Sequence, residues 1–217
     1  MRWLARQGRE AHYTKEPTTG PFGAALQMHI SKRLMAAPRE RPKVPLNEAT
    51  VALAFAADRM DHIHNEVGPF LEDGITVIAD RYYLSSLAYQ SLTADYAWIK
   101  ALNRAALRPD LTIFLSVPPA VCKRRMEKQR QHVELYEEIE KLREVDEQYQ
   151  FAIKDLATDG EYIVSIDGDR PINEVHTDAV RLVRKLLGKS SSGLGSNGQI
   201  SLSELLDSDD ALTLSKG

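Results

Sequence analysis

The 217-residue chain contains one cysteine, Cys122, and therefore has no internal disulfide framework. No apolar run approaches membrane-spanning length, and the opening segment 1–6 lacks the apolar core of a signal peptide. The formal net charge of −3 argues against a protein that coats a polyanion such as nucleic acid. We therefore expect a cytoplasmic protein with neither a membrane nor a nucleic-acid partner.

Hydrophobic residues make up 43% of the chain, which is enough for one substantial core. Short apolar runs rich in β-branched residues lie at about 75–79, 111–117 and 161–166 and predict strands, and we expect a further short strand at about 10–15. Helical patterns lie between and after them, at about 22–36, 47–67, 95–107 and 172–187, and Pro118-Pro119 opens a further helix. Asn47 is expected to cap the second of these helices and Gly68-Pro69 to end it.

Alternating strands and helices predict an α/β fold with a parallel sheet covered by helices on both faces. We expect residues 1–188 to form this domain. From residue 189 the composition shifts to Ser, Gly, Asp and Leu, which predicts a low-complexity and mostly disordered tail over 189–217.

Charged and aromatic residues follow the apolar strand at 75–79, in the run Asp80-Arg81-Tyr82-Tyr83-Leu84-Ser85-Ser86-Leu87-Ala88-Tyr89-Gln90. Ligands of open α/β sheets bind outside the carboxyl ends of strands, so this run indicates a functional site. Arg81 offers a planar fork that matches phosphate oxygens, and Asp80 can orient that fork or face a metal ion. An internal Asp80–Arg81 pair that closes a turn is the alternative interpretation.

Four separated segments together resemble the thymidylate kinases, P-loop enzymes that phosphorylate dTMP with ATP. The run DRYYLSSLAYQ is similar to the family's Asp-Arg-(Tyr/His) signature followed by Ser-x-x-Ala-Tyr-Gln. Residues 54–59, AFAADR, resemble its Phe-Ala-x-x-Arg helix. Lys15-Glu16-Pro17 with Gly20 and Gly23 resembles its Arg-Glu-Pro-Gly-Gly-Thr-x-x-Gly loop, and the run ELYE at 134–137 resembles the end of its lid. The resemblance covers about residues 1–187.

This resemblance implies a three-layer nucleoside monophosphate kinase fold of the P-loop type. It implies that ATP and Mg²⁺ are the cofactors and that dTMP is the substrate, converted to dTDP. We expect no side chain of this chain to be a dedicated metal ligand. The resemblance also suggests a homodimer. Another deoxynucleoside or nucleotide kinase with the same Asp-Arg signature is an open alternative.

Phe55 and Arg59 lie four residues apart and hence on one helix face. By the resemblance, Phe55 stacks on thymine and Arg59 holds the acceptor monophosphate. Without the other segments, Phe55 would fit a core stripe and Arg59 a surface charge.

The DRYYLSSLAYQ run and the loop before the first helix supply the remaining binding roles that the resemblance implies. Arg81 reaches the acceptor phosphate or the phosphate in transfer, and Asp80 orients it or holds magnesium-bound water. Ser86 bonds the base edge, Tyr89 packs beneath the deoxyribose, and Gln90 adds a base or sugar contact. Pro17 lines the base pocket. Ser85 is expected to cap the helix that starts there.

A charged stretch at about 123–137 corresponds by the resemblance to the mobile lid over the phosphates. Arg130 or Arg125 is the candidate for its catalytic cation, although a solvated helix face explains the same charges. After the last predicted strand, Asp167 corresponds to the loop beside the adenine, and a plain turn explains it equally well.

The motif G-x-x-x-x-G-K-[ST], which a P-loop kinase places between its first strand and first helix, occurs nowhere in the 217 residues. In the resembled fold that strand is central and its loop holds the ATP phosphates. A start assigned too late, or a fragmentary gene, is the explanation we favour over a true relative without a P-loop. For the chain as written we expect weak monophosphate binding at most and no appreciable turnover. A non-catalytic nucleotide-binding relative is the alternative.

Overall fold

The computed structural model describes residues 1–36, 42–127 and 137–190, which divide into two compact units. The first unit takes in residues 1–107 and 137–152, and the second takes in residues 108–127 and 153–190. Each unit mixes helices with one pair of parallel strands. The predicted α/β class and the parallel direction of its strands are thereby confirmed.

The first unit is built on two strands that pair in parallel, β1 (Ala11–Lys15) and β2 (Thr76–Asp80). Its complete helices are α1 (Arg2–Arg6), α2 (Pro21–Ile30), α3 (Glu48–His62), α4 (Gly68–Glu72), α5 (Tyr83–Gln90) and α6 (Tyr96–Leu102). Its buried apolar residues come from several of these helices and include Leu4, Leu26, Val51, Leu84, Leu87 and Ile99.

The helix α3 begins where the sequence predicts, since the Asn47 side chain accepts a hydrogen bond from the Ala49 amide at 3.0 Å. The prediction that Gly68-Pro69 ends this helix is wrong. A π-helical turn, Ile63–Val67, joins α3 directly to α4. A side chain at Gly68 would stand 2.9 Å from the Ile63 carbonyl oxygen, so glycine permits the wider turn there.

The predicted helix over 22–36 is shorter in the structure, because α2 ends at Ile30. Lys32, two residues later, has a φ of 58°, and a left-handed residue does not continue a right-handed helix. Ala36 and Val44 then form an isolated antiparallel bridge. The chain after α2 therefore turns back on itself instead of extending the helix.

The second unit contains the parallel pair β3 (Thr112–Ser116) and β4 (Ile163–Asp167). Its helices are α7 (Pro119–Glu127) and α9 (Ile172–Ser190). A long helix, α8 (Glu137–Thr158), belongs to the first unit up to residue 152 and to the second unit beyond it. The charged lid segment and the tail lie for the most part outside the described residues.

Candidate active site

The carboxyl ends of β1 and β2 place charged residues side by side. Lys15 lies opposite Asp80 in the parallel register, and the Glu16 amide donates to the Asp80 carbonyl oxygen at 3.2 Å. Arg81, the next residue, has a φ of 66°, a conformation that costs a non-glycine residue on the order of 1 kcal/mol. Because such strain is concentrated at functional sites, it marks Arg81 for attention.

The inward face of α3 changes from apolar to charged along its length. Val51 and Phe55 lie on this face in the first half, and Asp58, Arg59 and His62 continue it in the second. These three are almost completely buried, with exposed fractions of 1%, 2% and 2%. Burial of a charged group is costly unless it is hydrogen-bonded or paired with an opposite charge, so the partners of these three residues explain how this face can be buried.

Arg59 is held by three side chains and one ring. Its Nη2 donates to Glu16 Oε2 at 2.5 Å and to Ser86 Oγ at 3.1 Å, and its Nη1 donates to Asn103 Oδ1. The Arg59 Cζ lies 5.2 Å from the centroid of the Tyr82 ring. Burial and the negative charge of Glu16 raise the pKa of Tyr82, so this phenol is neutral at pH 7. Arg59 is therefore a fixed and largely neutralised cation.

The loop between β1 and α2 is fastened to α3. The Asp58 carboxylate accepts hydrogen bonds from the Thr18 amide at 2.9 Å and from its hydroxyl at 2.6 Å. The Gln27 amide nitrogen donates to the Thr18 carbonyl oxygen at 2.7 Å. A side chain at Gly23 would stand 2.2 Å from that oxygen, so α2 packs directly on the loop. Gly23 is thus required for close approach of the two backbones.

A cavity of about 1400 Å³ opens in the first unit beside these residues. It is large enough for a nucleotide-sized ligand, because pockets for drug-sized molecules measure roughly 300–1,000 Å³. Its wall includes several of the residues that the sequence singles out, namely Pro17, Phe55, Arg59, Arg81, Ser86, Tyr89 and Gln90. The structure brings one phenyl ring and two guanidinium groups to a single cavity.

Arg81 is an exposed cation of this wall. Its Cζ lies 5.4 Å from the centroid of Tyr89, whose ring meets Tyr149 edge-on at 6.0 Å. The Tyr149 hydroxyl forms a hydrogen bond of 3.0 Å with Ser85. The prediction that Ser85 caps α5 is wrong, because the helix begins at Tyr83 and no side chain caps it.

Asp80 and Arg130 are two further predicted catalytic residues. Asp80 accepts a hydrogen bond of 3.2 Å from the Tyr13 hydroxyl. Arg130 lies outside the described residues, as does most of the acidic and aromatic run at 134–137. The structure therefore places Asp80 at the end of β2, next to Arg81, and of the two lid candidates it describes Arg125.

Asp167 belongs to the second unit, where it is the last residue of β4 and begins the turn that follows. Its Oδ1 accepts from the Asp169 amide at 2.8 Å. Arg125 of α7 donates to the Gly168 carbonyl oxygen at 3.0 Å and to Asp169 Oδ1 at 3.1 Å. Asp167 thus stabilises its own turn, and Arg125 contacts that turn.

The chain is similar to known proteins of one family over most of its length. The family model described as thymidylate kinase matches residues 1–179. The chain belongs to the thymidylate kinase family. Members of this family are nucleoside monophosphate kinases, which are transferases of nucleotide biosynthesis.

Several curated relatives carry the name "Probable thymidylate kinase". One from Staphylothermus marinus is 34% identical over 183 residues, covering 83% of this chain and 83% of the relative. One from Thermococcus gammatolerans is 36% identical over 187 residues, covering 85% and 86% respectively. One from Pyrobaculum calidifontis is 34% identical over 185 residues, covering 85% and 88%.

Thymidylate kinases generally use ATP and Mg²⁺. The 217 residues contain no G-x-x-x-x-G-K-[ST] loop to hold the ATP phosphates. In the described ranges, no group of three or more His, Cys, Asp or Glu could hold a metal ion. Within the same ranges, no helix is long and apolar enough to cross a membrane.

The sequence analysis does not predict a site role for four residues around the cavity, namely Glu16, Asp58, His62 and Asn103. Glu16 and Asn103 hold Arg59, while Asp58 and His62 share its helix face. The spacing of Asp58 and His62 relative to Phe55 was an available signal, since positions three and seven residues on lie on the same face. Asn103 offers no such local signal.

Glu66, in the π-helical turn, forms the outer end of this polar cluster. The His12 Nε2 lies 2.7 Å from Glu66 Oε1, and the His12 ring stacks on Phe70 at 3.9 Å. Burial alone would raise the pKa of Glu66. Hydrogen bonds to His12 and Thr14 and the charge of His62 act in the opposite direction and outweigh burial, so the pKa lies below its ordinary 4.5. The carboxylate is thus favoured in the folded state.

We expect Glu66→Gln to reduce the acid sensitivity of the fold. A carboxylate with a lowered pKa contributes stability above its unfolded pKa, and that contribution is lost as the pH falls through the folded pKa. Urea unfolding of wild type and variant at pH 7 and pH 4 measures the effect. The wild type should lose more stability than the variant between the two values, and parallel losses would contradict this.

Proposed function

We propose that the cavity of the first unit binds dTMP as the phosphoryl acceptor, for conversion to dTDP with ATP. The observation that carries this proposal is the convergence of Phe55, Arg59 and Arg81 on one cavity. Membership of the thymidylate kinase family supports the choice of nucleotide. An aromatic ring can stack on a flat base, and a guanidinium can bind a phosphate with two parallel hydrogen bonds.

The two guanidinium groups of the wall have different tasks in this proposal. Arg59 is neutralised by Glu16 and lies 3.1 Å from Ser86, so this end of the cavity suits an uncharged base edge. Arg81 is exposed and not held by a salt bridge in the described contacts, so it suits the monophosphate. This assignment differs from the expectation that Arg59 holds the phosphate.

The remaining wall residues fit a nucleotide placed in that direction. Phe55 and Pro17 provide flat apolar surface for the base. The Tyr89 ring of α5 lies under the Arg81 guanidinium, whose Cζ is 5.4 Å from the ring centroid. We therefore propose that Tyr89 packs against the sugar and that Gln90 adds a polar contact.

Phosphoryl transfer needs an aligned acceptor and positive charge where negative charge develops. The residues described here align the acceptor through Arg81 and the base end. Because the printed sequence lacks a phosphate-binding G-x-x-x-x-G-K-[ST] loop, we propose that it binds dTMP without appreciable turnover. We also propose that the protein is a cytoplasmic homodimer and that residues 1–188 form its kinase domain.

Calorimetric titration of the 217-residue protein with dTMP tests acceptor binding, and a coupled assay for ADP release tests turnover. Saturable dTMP binding without ADP release supports the proposal. Binding with turnover would support a complete kinase site, and absence of dTMP binding would remove the acceptor role. Parallel titrations with dCMP and thymidine separate dTMP binding from binding of other nucleotides.

Arg81→Gly is expected to weaken dTMP binding by roughly 30-fold while leaving the melting temperature within a few degrees of wild type. Glycine accepts the left-handed backbone at this position without strain, so the fold loses little. Arg81→Lys keeps the charge without the planar fork and should lose only about fivefold. Unchanged affinity for thymidine in both variants is the control, and an equal loss for thymidine would contradict a phosphate role.

A further inference from the structure

His62 is a buried titratable residue for which the proposed function has no use. Its side chain has an exposed fraction of 0% and lies on α3 one turn after Arg59. The imidazole Nδ1 is 3.1 Å from Glu16 Oε1, and Nε2 is 2.7 Å from the Thr14 hydroxyl. The ring is therefore fixed at both nitrogens.

Glu16 connects His62 to the cavity. Its Oε1 faces His62 Nδ1, and its Oε2 accepts from Arg59 Nη2 at 2.5 Å. A carboxylate bound through one oxygen can still rotate about its last bond, whereas bonds at both oxygens fix its plane. The fixed plane of the Glu16 carboxylate in turn fixes the orientation of the Arg59 guanidinium.

Arg59 carries only hydrogen-bond donors, so its direction decides which base edges it can meet. Thymine presents a carbonyl oxygen where cytosine presents an amino group, and only the oxygen can accept a bond from Arg59. The Ser86 hydroxyl, which also contacts Arg59, can act as donor or acceptor and does not discriminate by itself.

We propose that His62 is a positioning residue that acts through Glu16 to orient Arg59 toward the base. This proposal rests on the proposed function, since it assumes that the cavity holds the base of dTMP. His62 thereby contributes to the preference for a thymine over a cytosine base without contacting the nucleotide. The donor that matters is Nδ1, not Nε2.

Two substitutions separate the two ring nitrogens. In His62→Asn the amide nitrogen lies near the position of Nδ1 and can still donate to Glu16. In His62→Gln the longer side chain places the amide near Nε2, toward Thr14, and leaves Glu16 without this donor. Thr14→Val removes the contact at Nε2 from the other side and serves as the matched control.

Calorimetric affinities for dTMP and dCMP are measured for wild type and the three variants. We expect His62→Asn and Thr14→Val to keep the dTMP affinity within about threefold and to keep the preference over dCMP. His62→Gln should lose about tenfold in dTMP affinity, the effect of one charge-assisted hydrogen bond, and most of the preference. A melting temperature for each variant separates binding from folding.

Equal effects of His62→Asn and His62→Gln, or a preference that stays constant while both affinities fall, would overturn the positioning role. If His62→Gln does not fold, His62→Asn and Thr14→Val decide, and loss of preference in either overturns the proposal. Failure of the wild type to bind dTMP overturns the proposed function itself and this proposal with it. The two failures are thus distinguishable.

Discussion

Arg59→Ala is expected to weaken dTMP binding on the order of 100-fold, the largest binding effect of any single change at this cavity. The substitution removes the buried donor that lies beside Ser86 at the proposed base end. It also leaves the Glu16 carboxylate buried, 5% exposed, without its cation. Loss of one partner of a buried pair costs about 3–5 kcal/mol, so the unfolding free energy should fall too.

Titration calorimetry with dTMP and urea unfolding measure the two effects of Arg59→Ala separately. Glu16→Gln in the Arg59→Ala background is the matched control, because it removes the unpaired charge without restoring the donor. The double variant should regain part of the lost stability and none of the lost affinity. A folded Arg59→Ala protein with wild-type affinity for dTMP would exclude Arg59 from the site.

Gly23→Ala is expected to destabilise the first unit by about 2–3 kcal/mol. The new methyl group would stand 2.2 Å from the Thr18 carbonyl oxygen and 2.6 Å from its carbonyl carbon. These are backbone atoms, so no rotamer change relieves the clash, and either α2 or the loop must move. Because the loop also carries Glu16 and Pro17, dTMP affinity should fall together with stability.

Gly188→Ala, in α9, is the control for Gly23→Ala. A side chain at Gly188 meets nothing within 4 Å, and alanine is the better helix former by about 1 kcal/mol. Thermal melts of both variants therefore should move in opposite directions. A Gly23→Ala protein as stable as wild type would show that the loop can yield at no cost.

Much of the fold follows from local patterns in the sequence. Asn47 caps α3 because an Asn side chain can accept from an amide two residues on, and this needs no tertiary contact. Phe55 and Arg59 share a helix face because of the helical repeat alone. Runs of β-branched residues locate β2, β3 and β4 to within a residue or two, and the end of β2 leads to Arg81.

The partners of Arg59 are a different matter. Glu16 is 43 residues away along the chain and Asn103 is 44, so only packing brings them together. A sequence pattern indicates that Arg59 faces inward but not whether a phosphate or a carboxylate meets it. The junction at Gly68-Pro69 is similar, since a π-helical turn depends on what packs around it and not on the two residues alone.

The two hydrogen bonds from Thr18 to Asp58 have a consequence for the nucleotide binding that we propose at this cavity. With its amide, hydroxyl and carbonyl all bonded, Thr18 has little freedom left to lose. The loop that carries the wall residues Glu16 and Pro17 therefore loses conformational entropy when the chain folds and not when a ligand binds. Affinity at this end of the cavity should depend on complementarity of shape, because binding does not have to order this loop.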